Sequence, residues 1–362
     1  MTLHRLILPT LALLLCASSF AQSPQGREIA YVMTDLFWSV YQTEDAREEC
    51  PRGFNDGPRE QFETLFADVT KHTVESSQLE REVATWHPTA TPDGFEFKSV
   101  EGPYSWGMNL DGKSDDEDFQ HPDGTVGIDN QVYRAVGCII GFRGPDGVEY
   151  IFQNKAIIDE RYNRMMIRLT DIDDLLNDDF VGVDFFRGRD RLLTDATGEA
   201  VVPGGTQRVD DRWGERLIRH TTGRIANGVL TTVPISEAVV PWMNLNVPSI
   251  HIFRDLRFEL SLSATRASGQ IAGYADVDTW YHQLIRNDST HHLSNGQISA
   301  ISLYRALRRF ADAYPDEAGT NRAISTALKI EMTQVHVIDE HQSLSGSMSN
   351  VRRDLLPPES TN

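Results

Sequence analysis

Alternation of apolar and polar residues predicts β-strands through the middle of the chain. In the stretch LRFELSL at 256–262 every second residue is apolar, and a period of two places those side chains on one buried face of a strand. Further short runs are rich in β-branched and aromatic residues: NQVYRAVGCIIGF, VEYIFQNKAII, RMMIRLTDI, FVGVDFF, VLTTVPI and GQIAGYADV. Turn sequences separate them, and six or more strands at this spacing predict an antiparallel β-sandwich or a jelly-roll-like core.

The pattern changes to helical spacing towards the C-terminus. Leu303 and Leu307 lie four residues apart, and Pro315 must end the helix that carries them. A second helix is predicted to begin near Thr320. Its predicted buried positions are Ile324, Leu328 and Val335. Together the two helices predict an α-hairpin at 298–338.

The predicted fold is α+β and β-rich, with one large domain at 22–345. That domain would comprise a mixed N-terminal part at 22–107, a β-rich part at 108–285 and the helical hairpin. An amphipathic helix is predicted in the first part at 57–72. The remaining residues, 346–362, read as a flexible tail.

The first residues have the features of a secretory signal peptide. A basic start is followed by an apolar run and by small residues that lead to Ala21, which predicts cleavage after that residue and a leader at 1–21. The apolar run is shorter than the roughly 20 residues that span a bilayer, and no later segment approaches that length. We therefore expect a protein without a membrane span that is periplasmic or secreted.

The charge of the chain excludes one class of partner. It has 34 Lys and Arg against 53 Asp and Glu, a formal net charge of −19. Loss of the leader removes one arginine and leaves −20. Such a surface repels nucleic acid and attracts cations, so nucleic-acid binding is not expected.

Two cysteines remain after the predicted cleavage, Cys50 and Cys138. In an oxidising compartment two such thiols are commonly paired, so the sequence predicts a disulfide between them. Two buried cysteines in separate places are the alternative.

The stretch at 109–131 has seven carboxylates and one lysine. Calcium prefers several carboxylate and amide oxygens on a flexible loop, so this stretch is a candidate Ca²⁺ site. A second acidic stretch lies at 171–179. The predicted metal ligands in the two stretches are Asp111, Asp115, Asp123, Asp129, Asn130, Asp173 and Asp178. Solvated acidic loops are the alternative for both.

Motifs for catalysis are weak. G-x-S-x-G, H-E-x-x-H and H-x-x-E-H are all absent from the sequence. A pair of acids could serve a hydrolase, but the many acidic residues give no means of selecting one pair. Whether the protein is an enzyme is left open at this stage.

A candidate ligand surface lies in GQIAGYADVDTWYHQL. Tyr274, Asp276, Asp278 and Trp280 occupy alternate positions there and would line one face of a continuing strand. If that face meets the helices, the same residues are core packing. Other aromatics in loop-like or strand-edge contexts, including Trp38 and Trp106, could stack on sugars or apolar ligands if exposed, but core packing is the favoured expectation for each of them.

These features favour an exported, calcium-stabilised soluble protein that binds a carbohydrate, another small molecule or an envelope protein. A secreted hydrolase that uses acidic residues is the first alternative, and a structural accessory of an envelope complex is the second. Binding and catalysis both require a concave pocket, and catalysis also requires groups with shifted pKa inside it. An accessory protein should instead show a broad apolar patch.

Overall fold

The structure is a computed structural model. It describes residues 27–55, 87–89, 97–144, 148–159, 164–244, 247–288 and 300–338. The predicted leader, the helix predicted at 57–72 and the predicted tail lie outside these residues. Within them, no helix has both the length and the apolar character needed to cross a membrane.

Thirteen strands and four α-helices make up the described part of the chain. The strands are β1 (Arg27–Trp38), β2 (Phe119–Gln120), β3 (Val126–Ile128), β4 (Met165–Ile172), β5 (Asp178–Arg187), β6 (Gly205–Arg208), β7 (Arg219–Ala226), β8 (Val229–Thr232), β9 (Ile235–Asn244), β10 (Val247–Leu262), β11 (Arg266–Asp276), β12 (Ala313–Pro315) and β13 (Asn321–Ile338). The helices are α1 (Gln131–Val136), α2 (Val148–Asp159), α3 (Val277–Asp288) and α4 (Ala300–Arg309).

Eight strands form a closed antiparallel barrel in the order β1-β4-β5-β7-β8-β10-β11-β13. Pairing between β13 and β1 closes the ring, with Ala30 opposite Val335 and Trp38 opposite Leu328. The predicted sandwich or jelly roll is therefore wrong. Strands with one buried face occur in sandwiches and in barrels alike, so the pattern does not distinguish the two. The pair that closes the barrel, β1 with β13, joins strands far apart in the sequence, and local patterning does not encode such a contact. Closure also removes the exposed edges that a sandwich would have to protect.

Side chains fill the barrel interior. Alternate residues of its strands belong to one large apolar core, among them Met33, Ile167, Val183, Phe258, Leu328 and Ile330. Helix α3 closes one end, where the Trp280 ring lies 4.8 Å from the rings of both Trp38 and His251. A cavity of about 30 Å³ remains beside these rings, room for about one water molecule.

Two smaller apolar clusters lie on the outside of the barrel. One is formed by Ala30, Val32, Met166, Phe186, Leu192, Val201 and Val335. The other packs Leu110 against Ala272, Tyr274, Ala323 and Ala327, so the segment 104–130 covers the outer side of β11 and β13. We call the outward-facing side of β10, β11 and β13 the outer wall.

The second helix of the predicted hairpin is a strand. Residues 321–338 form β13, which pairs with β1 on one side and β11 on the other. Both faces of β13 are largely buried because the core lies inside and the segment 104–130 lies outside. Residues 323–327 are buried throughout and show no period of two, and Ile324 and Leu328 match helical spacing by coincidence. The strand signal is the alternation of apolar and polar residues that begins at Leu328.

Two runs that were read as strands are helical. Residues 131–136 form α1 and residues 148–159 form α2. Helix α1 has only six residues and buries Val132, Tyr133 and Ala135 together, so its sequence is too short to show a helical period. A short apolar run of this kind cannot be assigned to a strand or a helix by periodicity alone.

The predicted disulfide is confirmed. Cys50 and Cys138 are joined with a Cα–Cα distance of 5.8 Å. The bond ties the segment that follows β1 to the end of α1. Both cysteines lie in the large apolar core.

Candidate functional site

A cleft of about 850 Å³ lies on the outer wall. Clefts of about 300–1,000 Å³ commonly hold small molecules. Its floor is a grid of side chains on neighbouring strands, because Ser268 pairs with both Ser261 and Glu331, and Gln270 pairs with Lys329. The described residues that line the floor are Ser261, Ser268, Gly269, Gln270, Lys329 and Glu331.

The opposite side of the cleft comes from the end of β1 and from two loops. Its described lining residues are Phe37, Trp38, Ser39, Val40, Gln42, Trp106 and Gly144. The backbone N–H of Ser39 donates to the Ala327 carbonyl at 3.1 Å, and the Asn130 amide donates to the Ser39 carbonyl at 3.0 Å. These bonds hold the chain against the outer wall where it leaves the barrel.

A buried ion pair fixes the loops behind this side of the cleft. Glu49 is fully buried and pairs with Arg143, the neighbour of Gly144. Glu49 also accepts hydrogen bonds from the Thr43 N–H at 3.0 Å and the Thr43 hydroxyl at 2.6 Å. Burial on its own would raise the pKa of Glu49, but the bonds from Thr43 and Arg143 outweigh it and lower the pKa. Glu49 therefore remains ionised and holds these loops together.

Trp106 presents an aromatic ring at the cleft. Its side chain is 39% exposed, and its ring lies 5.1 Å from His121 and 6.2 Å from Tyr41. The Asn130 amide donates to the Trp106 carbonyl at 2.9 Å. Gly107 follows with φ +154°, and a Cβ there would lie 2.9 Å from Ile128. The exposed ring is thus held on a fixed backbone.

Three residues of the cleft lining have buried polar atoms that lack a hydrogen-bond partner within the described chain. These atoms are Trp38 Nε1, Ser39 Oγ and Gln270 Oε1. Native proteins satisfy nearly all such atoms with protein, water or a ligand. The Trp38 indole packs in the barrel core, so the acceptor Gln270 Oε1 and the Ser39 hydroxyl, which can donate or accept, are the two such atoms that the cleft side of the lining offers.

Most of the predicted calcium ligands in the first acidic stretch bond to their own neighbours. Asp111 forms an ion pair with Lys113 at 2.9 Å, and the Asp115 N–H donates to the Asp118 carboxylate at 2.6 Å. Asp123 accepts a hydrogen bond from the Thr125 N–H at 2.9 Å. No group of three or more His, Cys, Asp or Glu that could hold a metal occurs in the part of the chain that the structure describes.

Asp129 and Asn130 are buried at the contact between the segment 104–130 and the barrel. Asp129 accepts the Leu110 N–H at 2.5 Å, while the Asn130 side chain bonds to several backbone atoms, including the Ala327 N–H at 3.3 Å. Burial, assisted by Asp118, Asp111 and Asp312, raises the pKa of Asp129 to about 6. These two residues attach the segment to the outer wall.

Asp312 is a second carboxyl beside the outer wall. It accepts the Ser325 N–H at 2.8 Å, and burial raises its pKa to about 6. Neither Asp129 nor Asp312 is among the described residues that line the cleft. No sequence motif marks Asp312, which lies between α4 and β12.

The second acidic stretch forms the turn between β4 and β5. The Asp173 N–H donates to the Asp178 carboxylate at 2.8 Å, and the Phe180 N–H donates to the same carboxylate at 3.1 Å. Asp173 and Asp178 are thus brought together by a hydrogen bond that stabilises the turn.

The four predicted ligand-binding residues do not share one face. Strand β11 ends at Asp276, and α3 begins directly after it. Asp276 accepts the Thr279 N–H at 2.9 Å and caps α3. Asp278 pairs with Arg322 at 2.7 Å. Tyr274 and Trp280 are 7% and 1% exposed, and none of the four is a described lining residue of the cleft.

The comparisons with known proteins give no relative. No protein-family model, no curated protein and no solved structure matches the chain.

Proposed function

We propose that the protein binds a small organic ligand in the cleft on the outer wall, in the periplasm or outside the cell. The observation that carries the proposal is the combination of a large concave volume, an exposed and rigidly held indole ring, and polar side chains that converge on the same space. The predicted leader and the Cys50–Cys138 disulfide support an oxidising location.

Binding is favoured over catalysis by the position of the acidic groups. The carboxyls with a raised pKa near 6, Asp129 and Asp312, are the best candidates for general acid or base chemistry. Both bond to backbone N–H groups, and the described cleft lining contains neither. A hydrolase would place such groups inside its cleft.

The proposal is tested by filling the cleft. Ser268 is exposed on the floor, so Ser268→Trp places a large ring in the cleft without touching the core. Thr231→Trp is the matched control, because Thr231 is also exposed on a barrel strand but is not a described lining residue.

Saturation-transfer NMR with a library of small polar and aromatic compounds provides the readout. Compounds that bind the wild type and Thr231→Trp should lose their signal with Ser268→Trp. The proposal is wrong if every compound that binds does so equally to all three proteins, or if none binds the wild type.

A further inference from the structure

The buried polar atoms of the cleft lining require a ligand rich in hydrogen-bonding groups. Ser39 is 5% exposed, and its hydroxyl has no partner among the described residues. Gln270 Oε1, across the cleft on β11, is in the same situation. An apolar ligand would offer neither atom a hydrogen-bond partner, and a buried polar atom without a partner is unfavourable. A ligand that offers hydroxyl groups would satisfy both.

The charges of the lining favour a neutral ligand. Lys329 and Glu331 contribute one positive and one negative group and lie two residues apart on β13. They are the only charged residues among the described lining residues. The formal net charge of −19 also repels anions from the surface as a whole.

The grid of the floor suits a ring that has polar groups around its whole edge. Directly opposed residues on neighbouring strands, such as Gln270 and Lys329, lie about 5 Å apart. Residues that face the same side of one strand, such as Lys329 and Glu331, lie about 7 Å apart. Donors and acceptors therefore repeat in two directions across the floor.

Trp106 adds an apolar surface to this polar grid. Its exposed ring can stack on the C–H face of a sugar ring, while the hydroxyl edge of the same sugar faces polar side chains. We infer that the cleft binds the pyranose rings of a neutral saccharide, an assignment that rests on the ligand-binding function proposed above.

Isothermal titration calorimetry with neutral hexasaccharides tests whether the cleft binds a neutral saccharide. Cellohexaose, maltohexaose and chitohexaose are the probes, and an oligogalacturonate and 1-octanol serve as the anionic and apolar comparisons. At least one neutral saccharide should bind, more tightly than either comparison compound.

Two substitutions and a control locate the contacts. Trp106→Ala should weaken saccharide binding about tenfold, since it removes the stacking surface. Gln270→Leu should also weaken it about tenfold, and because it removes a buried atom without a partner it should not destabilise the fold. Phe180→Ala removes an exposed ring at the start of β5 and should leave binding unchanged.

The results separate the two proposals. If Ser268→Trp blocks other compounds but no neutral saccharide binds, the saccharide assignment is overturned and the cleft remains a binding site. The assignment is also overturned if both Trp106→Ala and Gln270→Leu bind the saccharide as tightly as the wild type does. It is likewise overturned if the wild type binds the oligogalacturonate or 1-octanol more tightly than every neutral saccharide. If no compound of any class is sensitive to Ser268→Trp, the proposed function itself fails.

Discussion

The two faces of β13 show how one strand can serve stability and function separately. Leu328 and Ile330 point into the apolar core of the barrel, which contains a cavity of about 30 Å³. Lys329 and Glu331 point outwards into a cleft of about 850 Å³. Because side chains alternate along a strand, a sequence can vary the outer positions without changing the core. The proposed binding site therefore lies on the barrel and not within it.

Tryptophan provides the sharpest test of this difference. Trp280→Ala should lower the free energy of unfolding by about 3–5 kcal/mol, because it leaves a large hole where α3 closes the barrel. Trp106→Ala, on the exposed side, should change it by less than about 1 kcal/mol. Urea unfolding of both variants measures the difference. Equal losses would show that the two regions are not energetically distinct.

Removal of the disulfide tests whether the stability of the fold and the shape of the cleft depend on the bond between Cys50 and Cys138. The double variant Cys50→Ser and Cys138→Ser should lose about 2–5 kcal/mol of stability, since the bond closes a loop with a sequence separation of 88 residues. The loop next to Cys50 carries Glu49, so ligand binding in the cleft should weaken as well. Thermal melting with and without a reducing agent checks the prediction. The reductant should lower the Tm of the wild type and leave that of the double variant unchanged.

Titratable groups on the outer wall and in the barrel interior should change the free energy of unfolding in opposite directions as the pH rises. Asp129 and Asp312 have pKa values of about 6 in the folded protein against an ordinary 3.8. The folded state therefore binds more protons between these values, and this contribution stabilises the fold at pH 4 and is lost as the pH rises through 6. Asp129→Asn with Asp312→Asn keeps the acceptor oxygens and removes the charges. It should stabilise the protein by about 1–2 kcal/mol at pH 7.5 and by much less at pH 4.

His251 lies in the barrel interior and should make the free energy of unfolding rise with pH. Burial lowers its pKa to about 3 from an ordinary 6.5. Its contribution to stability is present above pH 6.5 and is lost as the pH falls towards 3, since the unfolded state then binds the proton. Urea unfolding of the wild type and of the double Asn variant across pH 4 to 8 separates the two effects, because the double variant keeps the contribution of His251. A double Asn variant with the same pH profile as the wild type would contradict the assignment to Asp129 and Asp312.

Calcium should have the smallest effect. If the acidic stretches bind it, addition of calcium after EDTA treatment should stabilise the fold by about 1.4 kcal/mol at ten times the Kd. A Tm that does not change over that series would remove the calcium prediction. Magnesium at equal concentration is the control for a general effect of divalent charge.

The sequence predicted the strands that have one buried face and missed elements that are buried on both sides. Residues 256–262 alternate clearly and form part of β10. The start of β13 at 323–327 is instead buried throughout, and the six-residue α1 is too short to show a helical period, so both are assigned wrongly from the sequence. The closed barrel depends on pairing between β1 and β13, which are separated by almost the whole chain. No local pattern reports such a contact.

The cleft was predicted only in fragments. Trp106 was one of several aromatics that could stack on a ligand or pack in the core, and Trp38, another of them, packs in the barrel core. The floor combines residues from β10, β11 and β13. Gln270 and Lys329 become neighbours only through the sheet register. The Cys50–Cys138 bond was predictable because these are the only two cysteines after the predicted leader.

Fluorine NMR of protein labelled with 5-fluorotryptophan tests the position of the binding site most directly. Trp106→Phe and Trp280→Phe assign the two resonances of interest. The protein is titrated with each of the three neutral hexasaccharides in turn. At least one of these saccharides should shift the Trp106 resonance until the site is saturated and leave the Trp280 resonance unchanged. A shift of Trp280 without a shift of Trp106, or no shift of either with any of them, would contradict a saccharide site on the outer wall.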